Sequence, residues 1–368
     1  METLQPYNHQ NLYGHEKLEK NFVDLWLKNK IPHAIILSGQ KGIGKSTLAY
    51  KISRFILDKS FKINEINHQV MFGEEDIYQN DLNIQKDSQI FKEVSMCINN
   101  NLYVIQEVFH DDEDNKKTEI SIDDIRSLKS FFEKKSLNDS WRIAIIDSSD
   151  NLNKNASNAL LKLLEEPPLN SLIILISHKP STLLKTIKSR CVKYNLNSLK
   201  FENFIKVINK IKPSISKNEI DFLSILSSNS PGYCLEIIDQ NGLEIYKKII
   251  NLFSKMPSLD LDEINKLNII INNKKNNKTF YLFLNLVNEF IHRGVLNIYN
   301  IKNSNINYFK EEIELFNNIE INENNVIQII NCWTKLKDTI DKSQIFNLNN
   351  KSIIIEIFSE FSKCFNDY

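Results

Sequence analysis

The chain has 368 residues, enough for two or three domains that each bury a core. Apolar residues make up 42% and charged residues 25%, which suits a soluble globular protein and excludes a disordered or fibrous one. Lys+Arg and Asp+Glu number 46 each, so the net charge is zero and gives no sign of a dedicated nucleic-acid binder; any contact with DNA would be local or made through partners.

The N-terminal residues Met1 to His9 are polar and carry no apolar signal core, and no run approaches the length of a membrane span. A cytoplasmic protein is the expectation. The five cysteines, Cys97, Cys191, Cys234, Cys332 and Cys364, are scattered without a C-x-x-C pair. They read as small buried thiols in a reducing compartment, with no zinc site and no disulfide framework.

In chain order, the first predicted element is a helix from Leu18 to Lys30, ended by Ile31-Pro32-His33. His33 reads as structural, with nucleotide sensing as the alternative. Ala34-Ile-Ile-Leu37 then reads as a buried strand. Directly after it runs Gly39-Gln-Lys-Gly-Ile-Gly-Lys-Ser46, which fits G-x-x-x-x-G-K-[ST] at every fixed position. Leu48, Ile52, Phe55 and Ile56 then fall at helical spacing within Thr47 to Leu57.

Strand, glycine loop and helix together are the parts of a phosphate cradle. Gly42 and Gly44 allow the backbone to bend and approach a polyphosphate, with N–H groups gathered at a helix N-terminus. Lys45 adds a point charge for the terminal phosphates, and Ser46 can offer its hydroxyl to a magnesium ion. The candidate nucleotide-binding set is Gly39, Gly42, Ile43, Gly44, Lys45, Ser46 and Thr47, and the ligand expected is ATP with Mg2+. The alternative is a glycine loop that only turns the chain.

Residues 61–89 are weakly patterned and polar, and read as short helices and loops. Asn101 to Ile105 reads as a strand, and His110 to Lys117 as a solvated acidic loop rather than a metal site. Ser121-Ile-Asp-Asp124 matches a capping box, leading into a helix with Ile125, Leu128, Phe131 and Phe132. Trp141 to Asp147 is a mostly apolar run ending in a carboxylate. That suits a central parallel strand whose Asp147 helps to hold magnesium beside the P-loop; the alternative is an acid that merely ends a strand. A helix from Asn151 is stopped at Pro167-Pro168. A buried strand from Leu172 to Ile176 ends at Ser177, a helix is predicted over Ser181 to Ile187, and Ser189-Arg190-Cys191 follows.

The run D-S-S-D-N-L-N-K-N-A-S-N-A-L-L-K-L-L-E-E-P-P over 147–168, with T-I-K-S-R-C over 186–191, resembles the clamp-loader branch of the AAA+ ATPases, and within it the delta-prime type of bacterial DNA polymerase III. The lead-in N-L-Y-G-H-E and the I-P-H-A before the P-loop are similar to that family too, and the resemblance covers residues 11 to about 240.

The resemblance implies an α/β P-loop AAA+ domain, a parallel sheet with flanking helices, over 1–196. A small helical lid would follow over 197–241, and an all-α collar domain for oligomerisation over 242–368. It implies that Asp147 is the Walker-B aspartate, that Ser177 is a polar sensor at a strand end, and that Arg190 is an arginine finger reaching into a neighbour's ATP site. It also implies partners: gamma/tau and delta subunits in a hetero-pentamer, the sliding clamp, and primed DNA reached through the complex, with no membrane, in a bacterial cytoplasmic replisome at the nucleoid. Any polymerase label would belong to the holoenzyme.

Three departures qualify the resemblance. Ser148 stands where active members place a Glu, and Tyr233, in Ser230-Pro-Gly-Tyr-Cys-Leu235, stands where they place a sensor-2 Arg. No zinc-binding cysteines lie between Tyr50 and Ser95. Nucleotide binding with little hydrolysis is therefore expected. The rival readings are a catalytically active gamma/tau-like ATPase and a nucleotide-free scaffold. Beyond about 243 the spacing is helical (Ile245, Ile249, Leu252; Phe280 to Ile291; Val326 to Leu336; Ile353 to Phe361), with Asn-rich joints such as 272–277 between helices. Lys274, Lys275 and Lys278 read as a solvated loop, with a phosphate contact as the alternative.

Overall fold

The computed structural model of the chain describes residues 5–68, 81–106, 119–134, 140–272, 277–298, 309–318, 327–337 and 349–366. The acidic run at 110–117, Lys274 and Lys275 lie outside those residues. The chain divides into two compact units. The first is Met1–Val207 with Ser230–Gly232, and the second is Ile208–Asn229 with Tyr233–Tyr368. Residues 197–207 and 230–232 of the expected lid belong to the first unit and the rest of it to the second.

The first unit is built on five strands: β1 (Ala34–Ser38), β2 (Leu102–Ile105), β3 (Arg142–Ile146), β4 (Ser171–Ser177) and β5 (Val192–Asn195). They form one parallel sheet in the order β2-β3-β4-β1-β5. Every residue of β1 and β4 is buried, as both faces of a parallel sheet require. Alternate residues feed two opposite cores. Ile35, Leu37, Ile143, Ile145, Ile174 and Ile176 pack with Phe22 of α1 (Glu16–Leu27) and with Leu48, Ile52 and Phe55 of α2 (Lys45–His68). Ala34, Ile36, Ala144, Ile146, Ile173 and Leu175 pack with Ile125 and Leu128 of α4 (Ile122–Glu133) and Leu160 and Leu164 of α5 (Lys154–Glu165). A short α3 (Gln89–Ser95) lies before β2.

The predicted caps form. Ser121 and Asp124 make a reciprocal capping box at the start of α4, and Asn153 accepts from the Ala156 N–H at 2.8 Å to start α5. Three elements differ from expectation. Helix α2 continues to His68 instead of ending near Leu57; its apolar face fades there, but no Gly or Pro interrupts it. The helix expected over Ser181 to Ile187 is reduced to α6 (Lys185–Lys188), because the preceding segment is held as a turn by Asp150. Strand β5 was not foreseen. It is an edge strand with mostly exposed side chains, so it lacks the apolar run that betrays the central strands.

Two helices, α7 (Phe201–Ile211) and α9 (Pro231–Asp239), each have residues in both units. Among its described residues the second unit has helices and no strand. It contains α8 (Lys217–Leu226), α10 (Gly242–Ser254), α11 (Leu261–Asn272), α12 (Lys278–Ile298), α13 (Lys310–Asn318), a helix over 327–337 taken as α14, and α15 (Asn350–Asn366). Its core is aromatic, with Phe253 of α10 against Phe290 at 4.7 Å and Phe361 at 5.2 Å between ring centres. Inside it Arg293 and Glu312 form an ion pair at 2.6 Å with side chains 2% and 0% exposed.

Candidate functional site: a P-loop at the carboxyl edge of the sheet

Parallel strands put their carboxyl ends on one edge, and ligands of open α/β sheets bind there. The P-loop leaves β1 at that edge, Asp147 follows β3, and Ser177 ends β4 opposite Ser38. Gly39, Gly42 and Gly44 hold φ of +147°, +82° and +100°, conformations that side chains strain to adopt. At Gly39 a Cβ would also lie 2.4 Å from the Leu196 carbonyl oxygen.

The candidate groups converge. Ser46 Oγ donates to Asp147 Oδ2 at 2.9 Å, across 101 residues of sequence. Lys45 Nζ donates to the carbonyls of Gly39 at 2.7 Å and Gln40 at 2.6 Å. Burial lowers the Lys45 ammonium to a pKa of about 8, partly offset by Asp147 and Asp150. Burial likewise raises the Asp147 carboxyl, opposed by the Ser46 hydrogen bond and by Lys45. A hydroxyl and a carboxylate within hydrogen-bonding distance make a hard oxygen pair of the kind that Mg2+ prefers, so the residues fit the expected ion. Ile43 is buried and its carbonyl accepts from His15 Nε2 at 3.0 Å; Thr47 is half-buried in the first turn of α2. Among the described residues no cluster of three or more His, Cys, Asp or Glu could hold a metal by itself.

Two residues missed by sequence reasoning shape the site. Asp150 accepts from Ser177 Oγ at 2.6 Å, from the backbone N–H of His178, from the Lys179 N–H at 3.1 Å and from Thr182 Oγ1 at 3.4 Å. The Ser177 hydroxyl is thus directed at a carboxylate of its own chain. The second Asp of D-S-S-D was the available signal, three residues past Asp147. The other residue is Gly232, whose N–H donates to the Gly42 carbonyl at 2.8 Å, while Ser230 Oγ donates to the Lys41 carbonyl at 2.7 Å. The start of α9 therefore braces the P-loop backbone. Tyr233 itself lies in the second unit, its hydroxyl pushed up by burial and by Glu236 and Glu289.

Ser148 adopts a left-handed conformation (φ +60°) immediately after Asp147. His33 is half-buried before β1, and its Nε2 has no hydrogen-bond partner among the described residues. Arg190 is away from this convergence in its polar contacts. Its Nη2 is 2.8 Å from Glu165 Oε1 and its Nη1 donates to the Thr186 carbonyl at 3.1 Å, with the side chain 36% exposed. Cys191 beside it is a half-buried thiol, pushed up by burial to about 12. Cys234 and Cys332 are buried, whereas Cys97 is exposed, contrary to the expectation that the cysteines are all interior.

The strand order, the glycine loop after β1 and the Asp after β3 define an α/β P-loop domain of the AAA+ class. A family profile described as "DNA polymerase III, delta subunit" matches residues 14–200, and the chain belongs to that family. The DNA polymerase III subunit delta' of Buchnera aphidicola subsp. Schizaphis graminum is 25% identical over 345 residues, covering 92% of each chain. The subunit delta' of Pseudomonas aeruginosa is 43% identical over 74 residues, a match spanning 20% of this chain and only 23% of that relative. The subunit gamma of the same Buchnera is 24% identical over 253 residues, 67% of this chain and 62% of the relative. The resemblance to delta-prime subunits read from 147–168 and 186–191 is borne out by these relatives. No helix among the described residues is long and apolar enough to cross a membrane.

Proposed function

We propose that the chain is a delta-prime-type subunit of the DNA polymerase III clamp loader. It binds ATP at its P-loop, hydrolyses it little or not at all, and supplies Arg190 to the ATP site of a neighbouring subunit. In this role it completes a hetero-pentamer with gamma/tau and delta subunits that loads the sliding clamp on primed DNA, in the bacterial cytoplasm. The observation that carries the reading is an assembled P-loop at which, among the described residues, both nearby carboxylates, Asp147 and Asp150, are already hydrogen-bonded. Ser46 meets Asp147 at 2.9 Å, the next residue is Ser148, and the next carboxylate, Asp150, accepts four hydrogen bonds from 177–182.

In this reading Gly39 to Thr47 hold the phosphates, and Ser46 and Asp147 hold the Mg2+ that accompanies ATP. When bound, that ion would supply charge neutralisation to the phosphate oxygens. Lys45 turns from the Gly39 and Gln40 carbonyls to the terminal phosphates. Ser177, hydrogen-bonded to Asp150 at the end of β4, is the polar sensor of the site. Arg190 faces outward, where a guanidinium offered in trans stabilises charge on a transferring phosphoryl.

The contact of Lys45 with its own loop favours one rival, a scaffold that never binds nucleotide. A fluorescent-ATP titration of the purified chain, paired with a turnover assay, separates these readings. Saturable binding lost in Lys45→Ala, with negligible turnover, is the expected result. Absence of binding would establish the scaffold, and brisk turnover abolished by Lys45→Ala would establish a gamma/tau-like ATPase.

A further inference from the structure

Two motifs that are 25 residues apart in sequence meet at one ion pair: Glu165, from L-L-E-E-P-P, and Arg190, from S-R-C, at 2.8 Å. Glu165 is the last residue of α5, and Pro167-Pro168 fix the end of the helix there. A carboxylate at that end opposes the helix dipole, so its placement does not serve the helix. It pairs with Arg190 instead. The guanidinium lies between the Glu165 carboxylate and the Thr186 carbonyl in α6, and it also donates to Ser189 Oγ at 3.5 Å. These contacts engage the two Nη atoms of a planar, five-donor fork. An unrestrained arginine would sample many rotamers, and each productive approach to a phosphoryl group would cost that ordering.

We propose that Glu165 is a positioning residue for Arg190, holding the guanidinium in the pose in which it is presented outside the chain. The inference rests on the reading of Arg190 as a group given in trans. It gives the first glutamate of the L-L-E-E-P-P run a task that the helix itself does not require. The pair is half-exposed, so its contribution to folding stability is small, and its effect belongs to geometry rather than to stability.

The test is a double-mutant cycle in the reconstituted clamp loader, reading DNA- and clamp-stimulated ATP turnover. Glu165→Gln keeps size and removes charge. It is expected to lower kcat on the order of 10-fold, with KM for ATP, complex assembly and the melting temperature of the chain unchanged. Glu165→Asp is expected to recover part of the loss. In an Arg190→Ala background Glu165→Gln is expected to have no further effect, because its action passes through Arg190. Unchanged turnover in Glu165→Gln would overturn the proposal while leaving the trans role of Arg190 standing. So would an equal fold-loss in the Arg190→Ala background. If Arg190→Ala itself leaves turnover unchanged, the role of Arg190 falls and the proposal falls with it.

Discussion

Lys45 and Arg190 are the two cations on which the proposed chemistry turns, and they are kept in opposite ways. Lys45 is 3% exposed, satisfied by two carbonyls of its own loop, and driven by burial to a pKa of about 8. The Arg190 side chain is 36% exposed and pairs with a carboxylate that is itself 50% exposed. A desolvated ammonium held by backbone oxygens suits a ligand that enters this chain and takes their place. An outward guanidinium in a screened pair suits a ligand held elsewhere. The difference teaches that two cations of one chain, kept this differently, suit two different ligands, as the proposed roles require.

A fully closed charge pair calibrates that comparison and gives the largest expected effect. Glu312 in the second unit accepts from Arg293 Nε at 2.9 Å and Nη2 at 2.6 Å, from the Tyr246 hydroxyl and from the Phe309 N–H at 2.9 Å. Glu312→Ala removes the carboxylate that Arg293 pairs with in the core, and urea unfolding is expected to show a loss of about 3–5 kcal/mol. A loss below about 1 kcal/mol would show that the pair is hydrated in solution.

Lys45→Ala removes the charge-assisted contact to phosphate and is expected to weaken ATP binding on the order of 100-fold by equilibrium titration. Urea unfolding should show the nucleotide-free variant as stable as the parent or more so, since it no longer buries an ammonium.

Gly232→Ala places a Cβ 2.7 Å from Gly42 Cα, a backbone atom that cannot swing aside. The brace on the P-loop must move, and ATP affinity is expected to fall about 10-fold, as roughly 1–3 kcal/mol of overpacking is relieved by displacing the loop. Affinity equal to the parent's would mean that the brace plays no part in shaping the cradle.

The smallest expected effect is the pH dependence. Phosphate needs the charged form of Lys45, whose pKa in the folded chain is depressed to about 8. Binding is therefore full below pH 8 and weakens as pH rises through it, by at most about 10-fold per unit. Folding stability runs the other way. Between about 8 and the ordinary lysine value the unfolded chain holds a proton that the folded chain has lost, so this group makes stability rise with pH there. An affinity flat from pH 7 to 9.5 would show that the bound phosphate holds Lys45 charged throughout.

The cradle was legible because its parts are consecutive: a buried strand, a glycine loop and a helix with apolar spacing. Central strands β1, β3 and β4 were legible for the same reason, since double-sided burial writes an apolar run. Edge strand β5 was not, because Val192 to Asn195 bury little and write no apolar run. Asp150 and Gly232 were missed because their partners lie 27 to 190 residues away, and spacing says nothing about such meetings. The second unit gave helices but no site, since apolar periodicity records only which face is buried.

The most direct test of the account is DNA- and clamp-stimulated ATP turnover of the reconstituted loader, comparing the parent chain with Arg190→Ala. A guanidinium supplied in trans predicts a fall of about 10³-fold or more at the neighbouring site with the complex still assembled. Unchanged turnover in an assembled complex would contradict the account, because Arg190 would then face no working ATP site.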